Sequence, residues 1–172
     1  MKIFNVTKLF IAAILLLSAF GCVDKNKEEI TTTVDSFFKN YKGDFRTANK
    51  DLLSKNFIDL INKTIEKEDA EAEKVKSSEF PTDKPLMIEG DIFCSLFEGQ
   101  DSCKIGEITV SKDTATVSVD FSNSTYAEHW KDKIILIKES GWKIDNVIYS
   151  GHKIEVQSAK EGLNNFLLYG EE

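Results

Sequence analysis

The sequence predicts an α+β domain in which helices come first and an antiparallel sheet follows. From Ile30 to Ile65 the apolar residues recur at helical spacing, whereas from Met87 onwards apolar and polar residues alternate. Strand-like and helical segments do not alternate along the chain, which argues against a parallel sheet with crossover helices. We therefore expect N-terminal helices packed against an antiparallel sheet, with one more helix after the last strand.

Two helices are predicted in the first half of the chain. The first carries a single apolar stripe and ends before Gly43; the stripe consists of Ile30, Val34, Phe37, Phe38 and Tyr41. The second begins after Ser54, a residue type that commonly caps helix N-termini. Its charged end, Glu66–Lys74, is interpreted as a solvated helix surface rather than an interaction arm.

Four strands are predicted in the second half, at Ile105–Val110, Thr114–Ser122, Ile134–Ile137 and Trp142–Ile148. Strict alternation in the last strand places Trp142, Ile144, Asn146 and Ile148 on one face and puts Asp145 on the other face, in water. A capping-box pattern at Ser158-Ala159-Lys160-Glu161 then starts the C-terminal helix.

Residues 1–21 predict a lipoprotein signal peptide. Lys2 and Lys8 make its start positive, and Leu9–Phe20 is an uncharged run of 12 residues. That run is shorter than the roughly 20 residues that a bilayer-spanning helix needs. It leads to Gly21-Cys22, an arrangement that resembles a bacterial lipobox, although the two positions before Gly21 depart from the usual pattern.

Lipidation of Cys22 would supply the two acyl chains that stable membrane anchoring requires. Residues 22–29 are then expected to form a polar tether, and residues 30–172 a single domain. By resemblance to lipoproteins of Gram-negative bacteria, Val23 after the cysteine favours the outer membrane, on its periplasmic or surface face. The alternative is an ordinary secretory signal in which Cys22 takes no part.

Cys94 and Cys103 are the remaining cysteines, and in an oxidising compartment they predict a disulfide. Two free buried thiols are the alternative. No metal site is predicted, because the chain has no C-x-x-C pair and its two histidines, His129 and His152, lack ligand spacing.

Composition excludes some classes of protein. The chain has 172 residues, 41% of them hydrophobic, which is enough for a packed core. Its 22 Lys+Arg against 29 Asp+Glu give a net charge of −7, the wrong sign for a nucleic-acid binder. The motifs of phosphate-binding loops, dinucleotide-binding folds and serine hydrolases are absent from the sequence, so no cofactor is expected.

Four short motifs carry a family resemblance: Asp91, Gln100-Asp101, Ala115-Thr116-Val117 and Gly141-Trp142-Lys143-Ile144-Asp145. In this order they resemble bacterial extracytoplasmic proteins grouped as domain of unknown function 3828, over about residues 30–150. That family is similar in layout to the nuclear transport factor 2-like (cystatin-like) superfamily. The resemblance implies a curved sheet wrapped around a helix, forming a cone with an apolar mouth. It implies no particular reaction.

The candidate ligand-binding residues are Asp91, Phe93, Gln100, Asp101 and Trp130. Asp91 and Asp101 are also the weak candidates for catalysis, because a carboxyl group held near apolar rings at the cone mouth would have a raised pKa. The alternative is that both carboxylates cap turns in the loop. Trp130 is the aromatic residue most suited to an exposed contact.

We therefore expect a lipid-anchored cell-envelope protein, held to the membrane through Cys22, that binds a small ligand or another envelope protein without catalysis. One alternative is an isomerase- or dehydratase-like enzyme with a buried aspartate as its base. The other is an immunity or inhibitor protein, whose acidic surface would suit a basic partner.

Overall fold

The computed structural model describes residues 25–152 and 155–170. The predicted signal peptide and Cys22 lie outside these residues. Helix α1 covers residues 25–40, and two short 3-10 turns, Phe45–Thr47 and Lys50–Leu52, lead to helix α2 at Lys55–Lys76. The strands and the last helix follow: β1 Ser102–Ser111, β2 Thr114–Asn123, β3 Glu128–Lys138, β4 Trp142–Ile148 and α3 Ala159–Leu168. The predicted α+β class and element order are confirmed.

The sheet is an open antiparallel meander with strand order β1-β2-β3-β4. Its centre is the β2–β3 pair, in which Val117 lies opposite Ile134. The predicted alternation along β2 is confirmed, since its apolar face is buried at Ala115, Val117, Val119 and Phe121. The structure therefore has one dry sheet face, and the helices supply its cover.

Helix α1 packs its apolar stripe onto that face, and all five predicted stripe residues are buried. The Phe38 and Phe121 rings meet edge to face, with centroids 4.9 Å apart. Nearer the start of the helix, Thr33 donates its hydroxyl to the Trp142 carbonyl at 3.3 Å. Removing this apolar surface from water is the main force that holds helix and sheet together.

The structured part of the chain extends further towards the N-terminus than the sequence indicates. Residues 25–29 belong to α1 rather than to the expected tether. Asn26 accepts a hydrogen bond from the Trp142 indole at 3.3 Å, and Glu29 accepts one from the Trp142 backbone N–H at 3.2 Å. These contacts fix the start of α1 against the start of β4.

Both predicted helix caps are present. The Ser54 hydroxyl accepts from the Phe57 backbone N–H at 3.1 Å, and the Ser158 hydroxyl accepts from the Glu161 N–H at 3.2 Å. Each satisfies one of the backbone donors that a helix leaves free in its first turn.

Strand β4 departs from the predicted alternation. Ile135 lies opposite Asn146 and Leu136 lies opposite Ile144, so Asp145 is an extra residue in a β-bulge. After the bulge, the residues that were predicted to face away from the core face it instead. Val147 is therefore fully buried, while Asn146 is not. The prediction that Asp145 lies in water is wrong. Its carboxylate accepts from the Ser54 hydroxyl and the Lys160 ammonium, each at 2.6 Å, and so joins α2 and α3 to the sheet.

Candidate functional site

The candidate site is built on the segment of residues 88–101 between α2 and β1. An ion pair between two other elements, the first 3-10 turn and α2, fixes the start of this segment. The Arg46 guanidinium contacts both Glu68 carboxylate oxygens, at 2.7 and 2.8 Å, and donates to the Ile88 carbonyl at 3.0 Å. Glu68 also accepts from the Ile88 N–H at 2.7 Å. Paired and buried in this way, Glu68 anchors the segment to α2.

Two glycines allow the segment to fold back on itself. The Asp91 N–H donates to the Phe97 carbonyl at 2.9 Å, which closes the loop. Gly90 has φ +79°, and a Cβ there would lie 2.6 Å from the Phe97 ring. Gly99 has φ +80°, and a Cβ there would lie 2.8 Å from Asp91 Oδ2. A larger residue at either position would be strained and would also collide.

Asp91 lies inside this loop with its two carboxyl oxygens in different surroundings. Oδ1 accepts from the Tyr41 hydroxyl at 2.9 Å and from the Phe93 N–H at 2.6 Å. Oδ2 is buried and has no hydrogen-bond partner among the described residues. Burial raises the pKa of Asp91 to about 7, although the bonds from Phe93 and Tyr41 oppose the increase. Burial, and then the charge of Asp91, raise the pKa of Tyr41 as well.

Asp91 forms part of the wall of a cavity of about 250 Å³, which we call the Asp91 cavity. Its wall is mainly apolar and is formed by the segment, the chain that follows β4, and α3; the apolar residues are Ile88, Ile92, Leu96, Phe97, Val156 and Ala159. Tyr149 lies there too, and its hydroxyl donates to the Ile92 carbonyl at 2.8 Å. Phe97 is 59% exposed, so its ring forms part of the rim.

A second buried carboxylate, Asp132, holds the far side of the segment. It accepts four hydrogen bonds: from the backbone N–H groups of Ser95, Ser150 and Gly151 at 2.8, 2.8 and 3.0 Å, and from the Trp130 indole at 3.0 Å. With both oxygens satisfied, Asp132 acts as an anchor that ties the segment to β3 and to the chain after β4. The sequence analysis missed it. The sequence did contain a signal for it. Asp132 lies an even number of residues from Trp130, Ile134 and Leu136 along β3 and therefore on the same face of the strand.

Two of the predicted ligand-binding residues belong to the core. Phe93 is fully buried, with its ring 4.6 Å from that of Phe37 and 5.0 Å from that of Tyr41. Trp130 is 7% exposed and stacks near Phe121, with centroids 5.7 Å apart. The expectation of an exposed contact at Trp130 is wrong, because its indole N–H is directed at Asp132.

Asp101 and Gln100 lie in a different place from Asp91. They line a polar cleft of about 560 Å³ between the end of α1 and the start of β1. Asp101 accepts from the Ser124 N–H at 2.6 Å and from the Ser124 hydroxyl, and these bonds lower its pKa. Asp101 therefore caps a turn, as the alternative expected, and the hypothesis of a raised pKa at Asp101 is wrong. The structure does not bring Asp91 and Asp101 into one site.

The expected disulfide is not present, and Cys94 and Cys103 are free thiols. Cys94 is buried in the wall of the Asp91 cavity, with its thiol 3.4 Å from the Leu96 carbonyl. Cys103 is half-buried in β1, opposite Phe121, and lines the polar cleft instead. Burial, and then the charge of Asp91, raise the pKa of Cys94, which makes it an unreactive thiol.

Ser95 of the segment contacts Asp132 and His152, but the three residues do not form a catalytic triad. The Ser95 hydroxyl accepts from the His152 backbone N–H at 3.2 Å. The His152 ring lies edge-on to Trp130, with centroids 5.4 Å apart, and its Nε2 has no partner among the residues described. Asp132 is occupied by its four N–H donors, so no side chain in this group orients the imidazole as a base.

No family model, curated protein or solved structure matches the chain. Within residues 25–152 and 155–170, no group of three or more His, Cys, Asp and Glu side chains could hold a metal ion. The same part of the chain contains no helix with the length and apolar character needed to cross a bilayer. The function has to be inferred from the chemistry of the site itself.

Proposed function

We propose that the protein is a lipid-anchored cell-envelope protein that binds a small, mainly apolar ligand in the Asp91 cavity and catalyses no reaction. The observation that carries the binding proposal is a buried carboxyl group, one oxygen of which has no partner among the described residues, at the wall of a mainly apolar cavity. Ligand sites typically combine an apolar pocket with a few polar groups that orient the ligand. Tyr41 and Phe93 hold the other oxygen, so the carboxyl group is already oriented.

The cavity also indicates which ligands it would take. At about 250 Å³ it lies just below the usual range of ligand pockets, about 300–1,000 Å³, so the ligand is small. The ionisable side chains in its described wall are Glu89, Asp91, Cys94 and Tyr149, none of which is a cation. An anionic ligand would meet no positive charge there. We therefore expect a neutral or cationic ligand with one hydrogen-bonding group.

Filling the cavity tests this proposal. Gly162 lies on α3 in the cavity wall, and a Cβ there would make an ordinary contact, 3.7 Å from Val156. Gly162→Leu should therefore occupy the cavity without breaking the helix. Asn164→Leu, at an exposed position of the same helix that does not line the cavity, is the matched control.

The probes are benzyl alcohol, benzylamine and benzoate, titrated into the full chain while amide chemical shifts are followed by NMR. We expect benzyl alcohol or benzylamine, but not benzoate, to shift the amides of Leu96, Tyr149 and Ala159. Gly162→Leu should abolish these shifts, and Asn164→Leu should retain them. Shifts that survive Gly162→Leu would place binding elsewhere and contradict the proposal.

The envelope part of the proposal is supported by the sequence of residues 1–22, with its basic start, its apolar run and Cys22. Mass spectrometry of the protein purified from a bacterial envelope should find Cys22 as the first residue, carrying a diacylglyceryl group. A chain that retains Met1, or one with an unmodified thiol at residue 22, would rule out the anchor. A cone-like layout of the nuclear transport factor 2-like kind belongs to the same proposal, and the packing of α1 across the sheet supports it.

One observation favours an enzyme as the second candidate. A carboxyl with a pKa of about 7 is suited to take and return a proton near neutral pH. In an isomerase-like reaction, Asp91 would remove a proton next to a ketone and return it two carbons further along. The test uses 3-cyclohexen-1-one as the probe and follows its conversion to the conjugated ketone by ultraviolet absorbance. A rate equal to that of Asp91→Asn would rule out this candidate.

A further inference from the structure

The part of the chain that the structure describes has two opposite ends, which differ in the helix ends, turns and loops that they contain. At one end, which we call the near pole, lie the start of α1, the start of α2, the β1–β2 turn and the β3–β4 turn. Four contacts hold these together. The Lys138 backbone N–H donates to the Asp113 carbonyl at 2.8 Å, and the Lys138 ammonium donates to the Asn26 side chain at 2.9 Å. Glu29 accepts from the Trp142 N–H, and Glu139 accepts from the Lys55 N–H, both at 3.2 Å.

The far pole contains the segment of residues 88–101 and the β2–β3 turn. Asp101 joins the two through its bonds with Ser124, and the Asp101 N–H donates to the Ser122 carbonyl at 3.0 Å. Tyr41, immediately after α1, contacts Asp91 there. Helix α1 spans the two poles with residues 25–40, a length of about 24 Å.

The chain between the predicted lipid attachment and the near pole is very short. Cys22 and Lys25 are separated by three peptide units, which extend to at most about 11 Å. Helix α1 is already formed at Lys25 and is held to the sheet from Asn26 onwards. An acylated Cys22 at the membrane surface therefore leaves the start of α1 no room to move away from the lipid headgroups.

The side chains of the near pole suit a headgroup surface. Charges of both signs are exposed there: the basic Lys25, Lys27, Lys55 and Lys112, and the acidic Glu28, Asp113 and Glu139. The large exposed apolar side chains of the described residues are Phe80, Met87, Phe97, Tyr126, Leu168 and Tyr169, and none of them belongs to the elements of the near pole. A polar surface with charges of both signs suits contact with lipid headgroups, and the absence of large exposed apolar side chains in those elements argues against insertion into the acyl region.

We propose that the anchored protein rests with its near pole on the lipid headgroups, so that the far pole, with the loop that carries Asp91, lies away from the bilayer. This inference rests on the lipidation of Cys22 in the proposed function. It makes the loop that carries Asp91 part of a site that takes its ligand from the aqueous compartment rather than from the membrane.

The test compares two labelled positions in the full lipidated chain, reconstituted in vesicles of phosphatidylcholine and phosphatidylglycerol. A fraction of the phosphatidylcholine carries a nitroxide on its headgroup. A fluorophore is attached at Ser140→Cys in the β3–β4 turn or at Thr125→Cys in the β2–β3 turn, each in a Cys103→Ser background. The background without a new cysteine reports any labelling of Cys94. Strand β3, with 11 residues, separates the two labels by about 36 Å.

We expect the nitroxide to quench the label at Ser140→Cys several-fold more strongly than the label at Thr125→Cys. A flexible Gly-Ser insertion of 20 residues between Asp24 and Lys25 reaches about 25 Å and should remove the difference. Equal quenching of the native-length chain at both positions, or stronger quenching at Thr125→Cys, would overturn the orientation while leaving the anchor intact. If the native chain fails to float with the vesicles at all, the anchor itself is absent and the orientation is overturned with it.

Discussion

Burial of the Asp91 carboxyl makes the stability of the protein depend on pH. The pKa of this carboxyl is about 7 in the folded protein, whereas an aspartate in an unfolded chain titrates near 3.9. Below pH 4 both states hold the proton, and the carboxyl costs no stability. As the pH rises from 4 to 7 the unfolded chain releases its proton first, so the free energy of unfolding falls by on the order of 4 kcal/mol.

Asp91→Asn should remove this pH dependence, because the amide oxygen can still accept from Tyr41 and Phe93 but carries no charge at any pH. The native chain should lose stability relative to the variant between pH 4.5 and pH 8, by about 3 kcal/mol, because at pH 4.5 the unfolded chain has already released most of its proton. Urea unfolding of both proteins at the two pH values measures the difference. A constant difference would show that Asp91 ionises as freely as in water.

Asp101 provides the control, because its pKa is shifted in the opposite direction. Its bonds with Ser124 lower the pKa, so its contribution is present above the unfolded-state pKa and is lost as the pH falls through the folded value. Asp101→Asn should therefore leave the loss of stability between pH 4.5 and pH 8 in place.

The Glu68 ion pair connects helix α2 to the segment that carries Asp91. Glu68 is 7% exposed and contacts both Arg46 and the Ile88 N–H, although its charged neighbours in the chain include exposed residues such as Glu66 and Asp69. Buried ion pairs with additional hydrogen bonds are costly to break, because the partner that remains is an uncompensated charge.

Glu68→Gln should lower the free energy of unfolding by about 1–3 kcal/mol and speed hydrogen exchange at the Ile88 amide. Glu73→Gln is the matched control on the same helix, because Glu73 pairs with Lys76 at the surface. It should change stability by less than about 0.5 kcal/mol, as exposed pairs do. Equal effects of the two substitutions would mean that the buried pair does not anchor the segment.

At the scale of the whole molecule, the fold is held without a covalent cross-link among the described residues. Cys94 and Cys103 line different cavities and are both free. The stability therefore comes from the single core between the sheet and the helices, to which both the segment of residues 88–101 and α3 contribute buried apolar residues.

We expect dithiothreitol to leave the melting temperature unchanged within error. Iodoacetamide added to the unfolded chain without reductant should alkylate both Cys94 and Cys103, as counted by mass spectrometry of tryptic peptides. A lower melting temperature under reduction, or peptides linked through the two cysteines, would show that the pair does form a disulfide.

The amino-acid sequence alone predicts those parts of the protein that depend on neighbours in the chain. The stripe of α1, the caps at Ser54 and Ser158, the alternation of β2 and the order of helices before strands are all present as predicted. Each depends on residues within a few positions of one another, where helical or strand geometry fixes which side chains share a face.

Which polar residues are buried, and with what partners, follows only from the folded protein. Asp91 and Asp101 look alike in sequence, yet one lies beside Tyr41 in an apolar cavity and the other caps a turn in water. The bulge at Asp145 and the four donors around Asp132 likewise come from elements distant in the chain. Desolvation and hydrogen bonding depend on what packs around a group, and that packing is a property of the folded chain as a whole.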